Sequence, residues 1–324
     1  MSLTDTNSDS VLIFIGPGRS GSTVISEFIM VHEQLAWPAH FLEYAPKLPE
    51  LDILRRAFDN RLWRLHGEKA QLNSTRFLNT LIPRPTEAYQ FWDNITRPEI
   101  DFSRGFLLGE VATEDEKKRI QKAVKNMKAR QNRRHFAMKI TGPGRIGYLK
   151  SIFPNAHFIN IVRDPVATVN SLLKVPFWKD LGMHRLWWNG AYSNQEVIQY
   201  NELKSDPALG TAFQLRKLMT TTLEEAQTQD AKILNIHFED FVRDPTTTCE
   251  QILTFAGLPH SYAIADKLSS TTIHDRPSTD QLSQSQVEEI KKMFPESFPA
   301  DTTPENCFAS KTHPTPPGQR EVLL

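Results

Sequence analysis

Val11-Leu12-Ile13-Phe14-Ile15 runs directly into Gly16-Pro17-Gly18-Arg19-Ser20-Gly21-Ser22-Thr23, and a helical stretch from Val24 to Val31 follows. The unbroken apolar run reads as a strand buried on both faces, the glycines as a tight turn, and the remainder as a helix leaving that turn. This order makes a site for a phosphate-like anion. The glycines let backbone N–H groups turn toward one point, and the first helical turn adds unpaired donors and a partial positive charge. The spacing matches G-x-x-x-x-G-K-[ST] except that Ser22 stands at the lysine position, and Arg19 is the only cation in the loop. The loop should therefore hold a tetrahedral oxyanion group without the lysine that spans the β- and γ-phosphates of ATP or GTP. The competing reading is a glycine turn kept for packing alone.

A second block has the same logic. Ala156 to Val162 reads as a mostly apolar strand, followed by Arg163, Asp164, Pro165 and a helical stretch to about Lys174. Asp164 is a good N-cap and Pro165 a good first helical residue, which puts Arg163 at the carboxyl end of the strand. In an open α/β sheet that edge is where ligands bind. Val-Arg-Asp-Pro recurs at residues 242–245, where Arg243 follows the polar stretch His237-Phe238-Glu239-Asp240. The second copy reads as a helix cap, Asp244 capping a helix from Pro245 to Ala256 that stops at Gly257.

Elsewhere strands alternate with helices. Strands are expected over His135 to Ile140, with Lys139 near its end, and over Lys232 to His237. Thr113-Glu114-Asp115-Glu116 is a capping box opening a helix to about Gln131. Gly142-Pro143-Gly144-Arg145 precedes a helix to Phe153, with Arg145 read as capping a turn. Trp178 to Tyr200 and Thr211 to Gln229 read as two further helices. The pattern predicts an α/β fold with a mainly parallel sheet covered on both faces. Leu35 to Glu50 reads as a loop at the sheet edge, and residues 51–104 as an insertion rather than a strand series. A single domain over residues 11–310 is expected, between a flexible N-terminus at 1–10 and a disordered, proline-bearing tail at 311–324.

Composition bounds the partners. The 324 residues carry 38 basic and 38 acidic side chains, so nothing global attracts nucleic acid or a membrane surface, and any anion site must be local. Hydrophobic content of 39% and a mean hydropathy of −0.43 suit a soluble globular chain. Cys249 and Cys307 provide neither a disulfide framework nor a metal cluster, and Cys249 lies on an apolar helix face as core. The polar N-terminus lacks the features of a signal peptide, and no apolar run is long enough to span a bilayer, so a cytoplasmic setting is expected.

Pro17-Gly18-Arg19-Ser20-Gly21-Ser22-Thr23 resembles the 5′-phosphosulfate loop of sulfotransferases that use 3′-phosphoadenosine 5′-phosphosulfate (PAPS), especially the branch containing protein-tyrosine and bacterial sulfotransferases. Arg163 with Ser171 resembles that family's grip on the donor's 3′-phosphate, approached through Phe153-Pro154-Asn155-Ala156-His157-Phe158. His237 to Pro245, ending in Phe255-Ala256-Gly257-Leu258-Pro259, resembles the family's late strand-to-helix unit, with Phe238 in place of the usual tyrosine. The resemblance runs from Val11 to about Pro259. It implies a P-loop nucleotide-hydrolase-like three-layer sandwich, PAPS as co-substrate, 3′,5′-ADP as product and no metal. The implied donor set is Gly18, Arg19, Ser20, Gly21, Ser22, Thr23, Arg163, Ser171 and Phe238. The implied partner is a hydroxyl of a small molecule, glycan, lipid or peptide; the oligomeric state stays open, a homodimer included.

Sulfuryl transfer spreads negative charge over equatorial oxygens in a loose in-line transition state, so cationic donors supply most of the catalysis. Arg19, the loop amides and Lys139 suit that role, Lys139 matching the family's lysine on the leaving side of the sulfate; its bland reading is a solvated edge lysine. The acceptor hydroxyl needs a base. Ala39 aligns with the family's glutamate, leaving His40 and Glu43 as candidates: His40 titrates near neutrality untuned, whereas Glu43 needs burial to raise its pKa. His32 and Glu33 belong to the end of the first helix. Trp37, Trp63, Trp92, Phe177 and Trp178 line an acceptor pocket or fill the core. The alternatives are a non-catalytic nucleotide-binding protein, which the Ala39 departure allows, and a P-loop kinase, which would need the lysine that Ser22 displaces.

Overall fold

The computed structural model describes residues 10–60, 62–69, 81–271, 273 and 279–294. The expected tail at 311–324, all but the last residue of the expected N-terminal segment, and Cys307 lie outside them. Among the described residues five strands, β1 (Val11–Ile15), β2 (Leu35–Ala36), β3 (His135–Lys139), β4 (His157–Val162) and β5 (Lys232–His237), form one sheet in the order β2-β3-β1-β4-β5. Every pairing is parallel; Ile13, for example, pairs with Met138 on one side and Phe158 on the other.

The apolar strands are explained by two covered faces. Ile13, Ile15, Phe136, Met138 and Phe158 point into one core, and Leu12, Phe14, Ala137, Ile159 and Ile161 into the other, following the two-residue alternation of a strand. Helix α1 (Ser22–Ile29) covers the second face. Helices α2 (Glu114–Gln131) and α3 (Ile146–Ile152) cover the first, and α2 starts at the expected capping box. Helix α4 (Pro165–Leu172) follows β4, with the Asp164 side chain accepting from the Ala167 N–H. The result is a three-layer α/β sandwich with an all-parallel sheet, as the sequence predicts.

Three expectations change. Leu35 to Glu50 is not all loop: Leu35–Ala36 pairs with β3 as the edge strand, and Phe41–Tyr44 forms a helical turn. No single helix spans Trp178 to Tyr200. A π-helical turn covers Trp178–Gly182, and α5 (Asn194–Leu203) starts afresh where Ser193 and Glu196 form a capping box. Helix α6 (Pro207–Thr228) begins ahead of Thr211 because the Asp206 side chain caps it and Pro207 takes its first turn. A short helix at Phe238–Arg243 and helices α7 (Pro245–Phe255), α8 (Tyr262–Ser270) and α9 (Gln284–Met293) follow among the described residues.

Within 51–104 the described residues hold helical turns at Pro49–Leu54 and Arg55–Phe58 and a short helix at Tyr89–Ile95. Phe91, Trp92, Ile100 and Phe102 tie this segment into the first core. Trp37 and Trp178 are likewise fully buried, whereas Trp63 and Phe177 are half exposed.

Chain direction across the sheet reverses beside β1: the connection leaving β1 runs to β2, while the one leaving β3 crosses β1 to reach β4. The crevice outside the carboxyl ends of β1 and β3 is therefore the topological switch point, where ligands bind in open α/β sheets.

Candidate active site

The loop after β1 is built for close approach. Gly16 and Gly21 have φ of +139° and +87°, and a Cβ on them would stand 2.3 Å from the Ile161 carbonyl oxygen and 2.1 Å from the Phe238 ring. Only glycine fits either position. Gly21 then caps α1 with no side-chain bond, so the first-turn amides keep their donors for a ligand. Ser20 Oγ is buried and has no hydrogen-bond partner. Orphaned donors and an oriented helix terminus fit a tetrahedral oxyanion.

Arg19 adopts φ +70°, and its Nε donates to Ser171 Oγ on α4 at 3.0 Å. The loop cation and the α4 serine, far apart in sequence, thus meet at one spot. Arg163, at the end of β4, places its guanidinium 4.9 Å from the centroid of the Phe238 ring, the same ring that packs under Gly21. Arg243 differs: its side chain is 76% exposed and pairs with Asp240 at 2.9 Å, while Asp244 caps α7 through the Thr247 N–H. The two Arg-Asp-Pro copies therefore occupy opposite environments, one against the loop and one on the surface.

Lys139 is not an edge lysine. Strand β3 lies between β2 and β1, and Lys139 is 5% exposed. Its Nζ donates to Thr23 Oγ1 at 2.8 Å and pairs with Glu87 Oε1 at 3.2 Å. Burial raises the Glu87 carboxyl, but the Lys139 and Lys69 ammonium groups outweigh it and hold that carboxyl below its ordinary value. Thr141 Oγ1 also donates to Glu87.

His40 and Glu43 lie across from a segment the sequence gave no reason to single out. His40 N–H donates to the Arg84 carbonyl and Thr86 N–H to the Pro38 carbonyl, each at 3.0 Å, around an antiparallel bridge between Ala39 and Pro85. Asp52 Oδ1 accepts the Ala39 N–H at 3.2 Å and fixes the turn from behind. The His40 ring is 2% exposed, stacks 4.3 Å from Phe41, and its Nδ1 accepts the Arg84 N–H at 3.4 Å. With Nδ1 so used, a neutral imidazole carries its proton on Nε2. Glu43 Oε1 accepts from Thr86 Oγ1. Desolvation raises the Glu43 carboxyl above its ordinary value against the opposing charge of Arg84. The two carboxylates of this site are thus pushed apart: Glu43 toward basicity, Glu87 toward permanent charge.

Arg145 reaches this cluster only from behind, through a 3.4 Å hydrogen bond to the Thr141 carbonyl. It is fully buried, and its guanidinium donates to the carbonyls of Gly105 and Pro143. His32 and Glu33 bond to Pro259 and Ser261, at the start of α8. Glu87, Thr86 and Arg84 are the site residues the sequence reading missed. Among the described residues, no group of three or more His, Cys, Asp or Glu is placed to hold a metal ion, and no helix is long and apolar enough to cross a membrane.

A parallel sheet with a glycine loop at its switch point, helix amides and converging cations defines an α/β protein of the phosphate-loop class. Residues 12–262 match the model of the sulfotransferase family, and the chain belongs to that family. Sulfotransferase STF9 from Mycobacterium avium shares the fold with a TM-score of 0.53 at 17% identity, over 88% of this chain and 75% of that one. Sulfotransferase STF1 from Mycobacterium tuberculosis H37Rv aligns with a TM-score of 0.44 at 13% identity, over 89% of this chain and 77% of that one. Retinol dehydratase, solved in complex with androsterone and inactive cofactor PAP, aligns with a TM-score of 0.33 at 12% identity, over 90% and 80% of the two chains. No curated protein sequence matches the chain.

Proposed function

We propose that this sulfotransferase moves the sulfuryl group of PAPS to an acceptor hydroxyl by in-line displacement, with Glu43 as base. The observation that carries the reading is the Lys139 ammonium on the Thr23 hydroxyl. In nucleotide hydrolases the hydroxyl at this loop position binds Mg²⁺. Here a protein cation already stands on it, which suits a donor whose transferring group needs one positive charge rather than a metal bridging two phosphates. PAPS, when bound, supplies the sulfuryl group and leaves as 3′,5′-ADP. The loop amides from Ser20 to Thr23 and the Ser20 hydroxyl would hold its 5′-phosphosulfate, and Arg19, Ser171 and Arg163 its 3′-phosphate, with Phe238 beneath Arg163. Lys139 neutralises charge on the leaving oxygen, and its ion pair with Glu87 keeps that ammonium aimed. Glu43, oriented by Thr86, takes the acceptor proton as the acceptor oxygen closes on sulfur and the sulfur–oxygen bond to 3′,5′-ADP breaks.

The test is a thermal-shift comparison. 3′,5′-ADP should raise the unfolding midpoint more than ATP with Mg²⁺, because Arg163 and Ser171 select a 3′-phosphate that ATP lacks; a ligand at a hundredfold excess over its Kd adds about 2.7 kcal/mol. An equal or larger shift with ATP and Mg²⁺ would favour a kinase.

A further inference from the structure

Arg84 is the unexplained charge of this site. It is 4% exposed, and its Nε is buried with no hydrogen-bond partner. Among the described residues no carboxylate comes within ion-pair distance of it; Glu43 is near enough to feel its charge but does not pair with it. Lys69 adds a second positive charge to the same neighbourhood. A guanidinium in a buried side chain with an N–H donor left unpaired is costly, and such groups persist where an anion completes them.

Placement decides which anion. The donor's phosphates have their own cations at the ends of β1 and β4, namely Arg19 and Arg163, and Lys139 serves the transferring group. Arg84 is carried instead by the segment that bridges to residues 38–40 and adjoins the proposed base, where Glu43 feels its charge together with those of Lys69 and Lys139. We propose that Arg84 receives an anionic group of the acceptor, so that the substrate is a hydroxylated acid with its carboxylate on Arg84 and its hydroxyl toward Glu43. A guanidinium fork matches a carboxylate with two parallel hydrogen bonds. The inference rests on the sulfotransferase reading of the site, since it takes Glu43 as the base.

The experiment is calorimetric titration of the protein saturated with 3′,5′-ADP, using matched acid and amide probes: 4-hydroxyphenylacetate against 4-hydroxyphenylacetamide, and 3-hydroxybutyrate against 3-hydroxybutanamide. At least one acid should bind about tenfold or more tightly than its amide, the ratio expected of a charge-assisted hydrogen bond. Arg84→Met should abolish that preference, Arg84→Lys should keep part of it, and neither should change the affinity for 3′,5′-ADP. If Arg84→Met fails to fold, Arg84→Lys still reports the acid-to-amide ratio. Acids binding no better than amides across both pairs, or a preference that survives Arg84→Met, would overturn the proposal. So would a loss of 3′,5′-ADP affinity in either variant, which would put Arg84 on the donor. Failure of the wild type to bind 3′,5′-ADP would strike the sulfotransferase reading instead, and the acid-to-amide ratio measured without nucleotide would still judge Arg84.

Discussion

Lys139 Nζ and Thr23 Oγ1 stand 2.8 Å apart, so a strand-borne ammonium sits on the first turn of the helix that leaves the anion loop. Because Glu87 flanks the same ammonium at 3.2 Å, its charge is held in a site from which water is mostly excluded. Charge placed in advance where charge develops is worth more there than in water.

Replacing Lys139 with Met should therefore lower turnover by about 10²–10³-fold while 3′,5′-ADP still binds, the scale set by removing one preorganised donor. Glu87→Gln should cost less, about tenfold, because the ammonium stays but loses its counter-charge and its fixed direction. Single-turnover rates with saturating donor separate the two. If Glu87→Gln equalled Lys139→Met, Glu87 itself would be touching the reacting groups.

Arg163 and Arg243 offer a comparison within one chain, because each sits in the same tetrapeptide, Val-Arg-Asp-Pro. Arg163→Ala should weaken 3′,5′-ADP binding by about 1.5–3 kcal/mol, the worth of a charged hydrogen bond, while slowing the bound-state step far less. Arg243→Ala should leave binding unchanged, since that side chain is exposed and pairs with Asp240. Isothermal titration of both variants checks the pair; equal losses would remove the distinction between the copies.

How much of this was legible in the sequence follows from how local each signal is. The loop, Arg163 and the strand-end Lys139 belong to strand–turn–helix units whose periodicity and caps lie within a few residues. Strands β4 and β5 and the capping box at Thr113 were readable for the same reason. Glu87, Thr86 and Arg84 were not, because they reach the site through an antiparallel bridge to Ala39 from a proline-flanked stretch without periodicity. The break between Trp178 and Tyr200 was missed although Ser193-x-x-Glu196 announces a new helix; the apolar and aromatic run around it masked the box. The meeting of Arg19 with Ser171 was out of reach in another way, as it depends on a left-handed residue turning the arginine toward α4.

Gly21 and Gly18 separate backbone need from simple smallness. A Cβ at Gly21 meets the Phe238 ring and a φ of +87°, whereas one at Gly18 meets nothing within 4 Å. Gly21→Ala should cost about 1–3 kcal/mol from backbone strain alone, and crowding of Phe238 adds to that. It should also weaken 3′,5′-ADP binding by shifting the first-turn amides. Gly18→Ala should change stability by less than about 0.5 kcal/mol, as surface changes away from such features do. Urea denaturation of the two variants measures the difference, and near-equal midpoints would mean the loop relaxes around the added methyl.

Glu43 and His40 are the two candidates for the base that would take the acceptor proton. His40 is packed between aromatic rings and spends Nδ1 on the Arg84 N–H, which leaves its neutral form a donor at Nε2. Glu43 has an orienting hydroxyl in Thr86 and a carboxyl that desolvation makes more basic than usual. A base must be ionised to act, so the rate should fall as pH drops through a carboxyl pKa that lies above the ordinary glutamate value of 4.5. Glu43→Gln should abolish that limb and lower turnover by about 10²–10⁴-fold, the usual contribution of general-base assistance, while 3′,5′-ADP binding persists. Thr86→Val should lower turnover less and move the limb upward in pH, since the hydroxyl that favours the ionised carboxylate is gone. His40→Ala should cost stability through lost packing more than it costs the chemical step. If His40→Ala instead removes the acidic limb and Glu43→Gln leaves it in place, the imidazole is the base. If neither variant loses more than a few-fold, the chain has kept a donor site without the transfer chemistry.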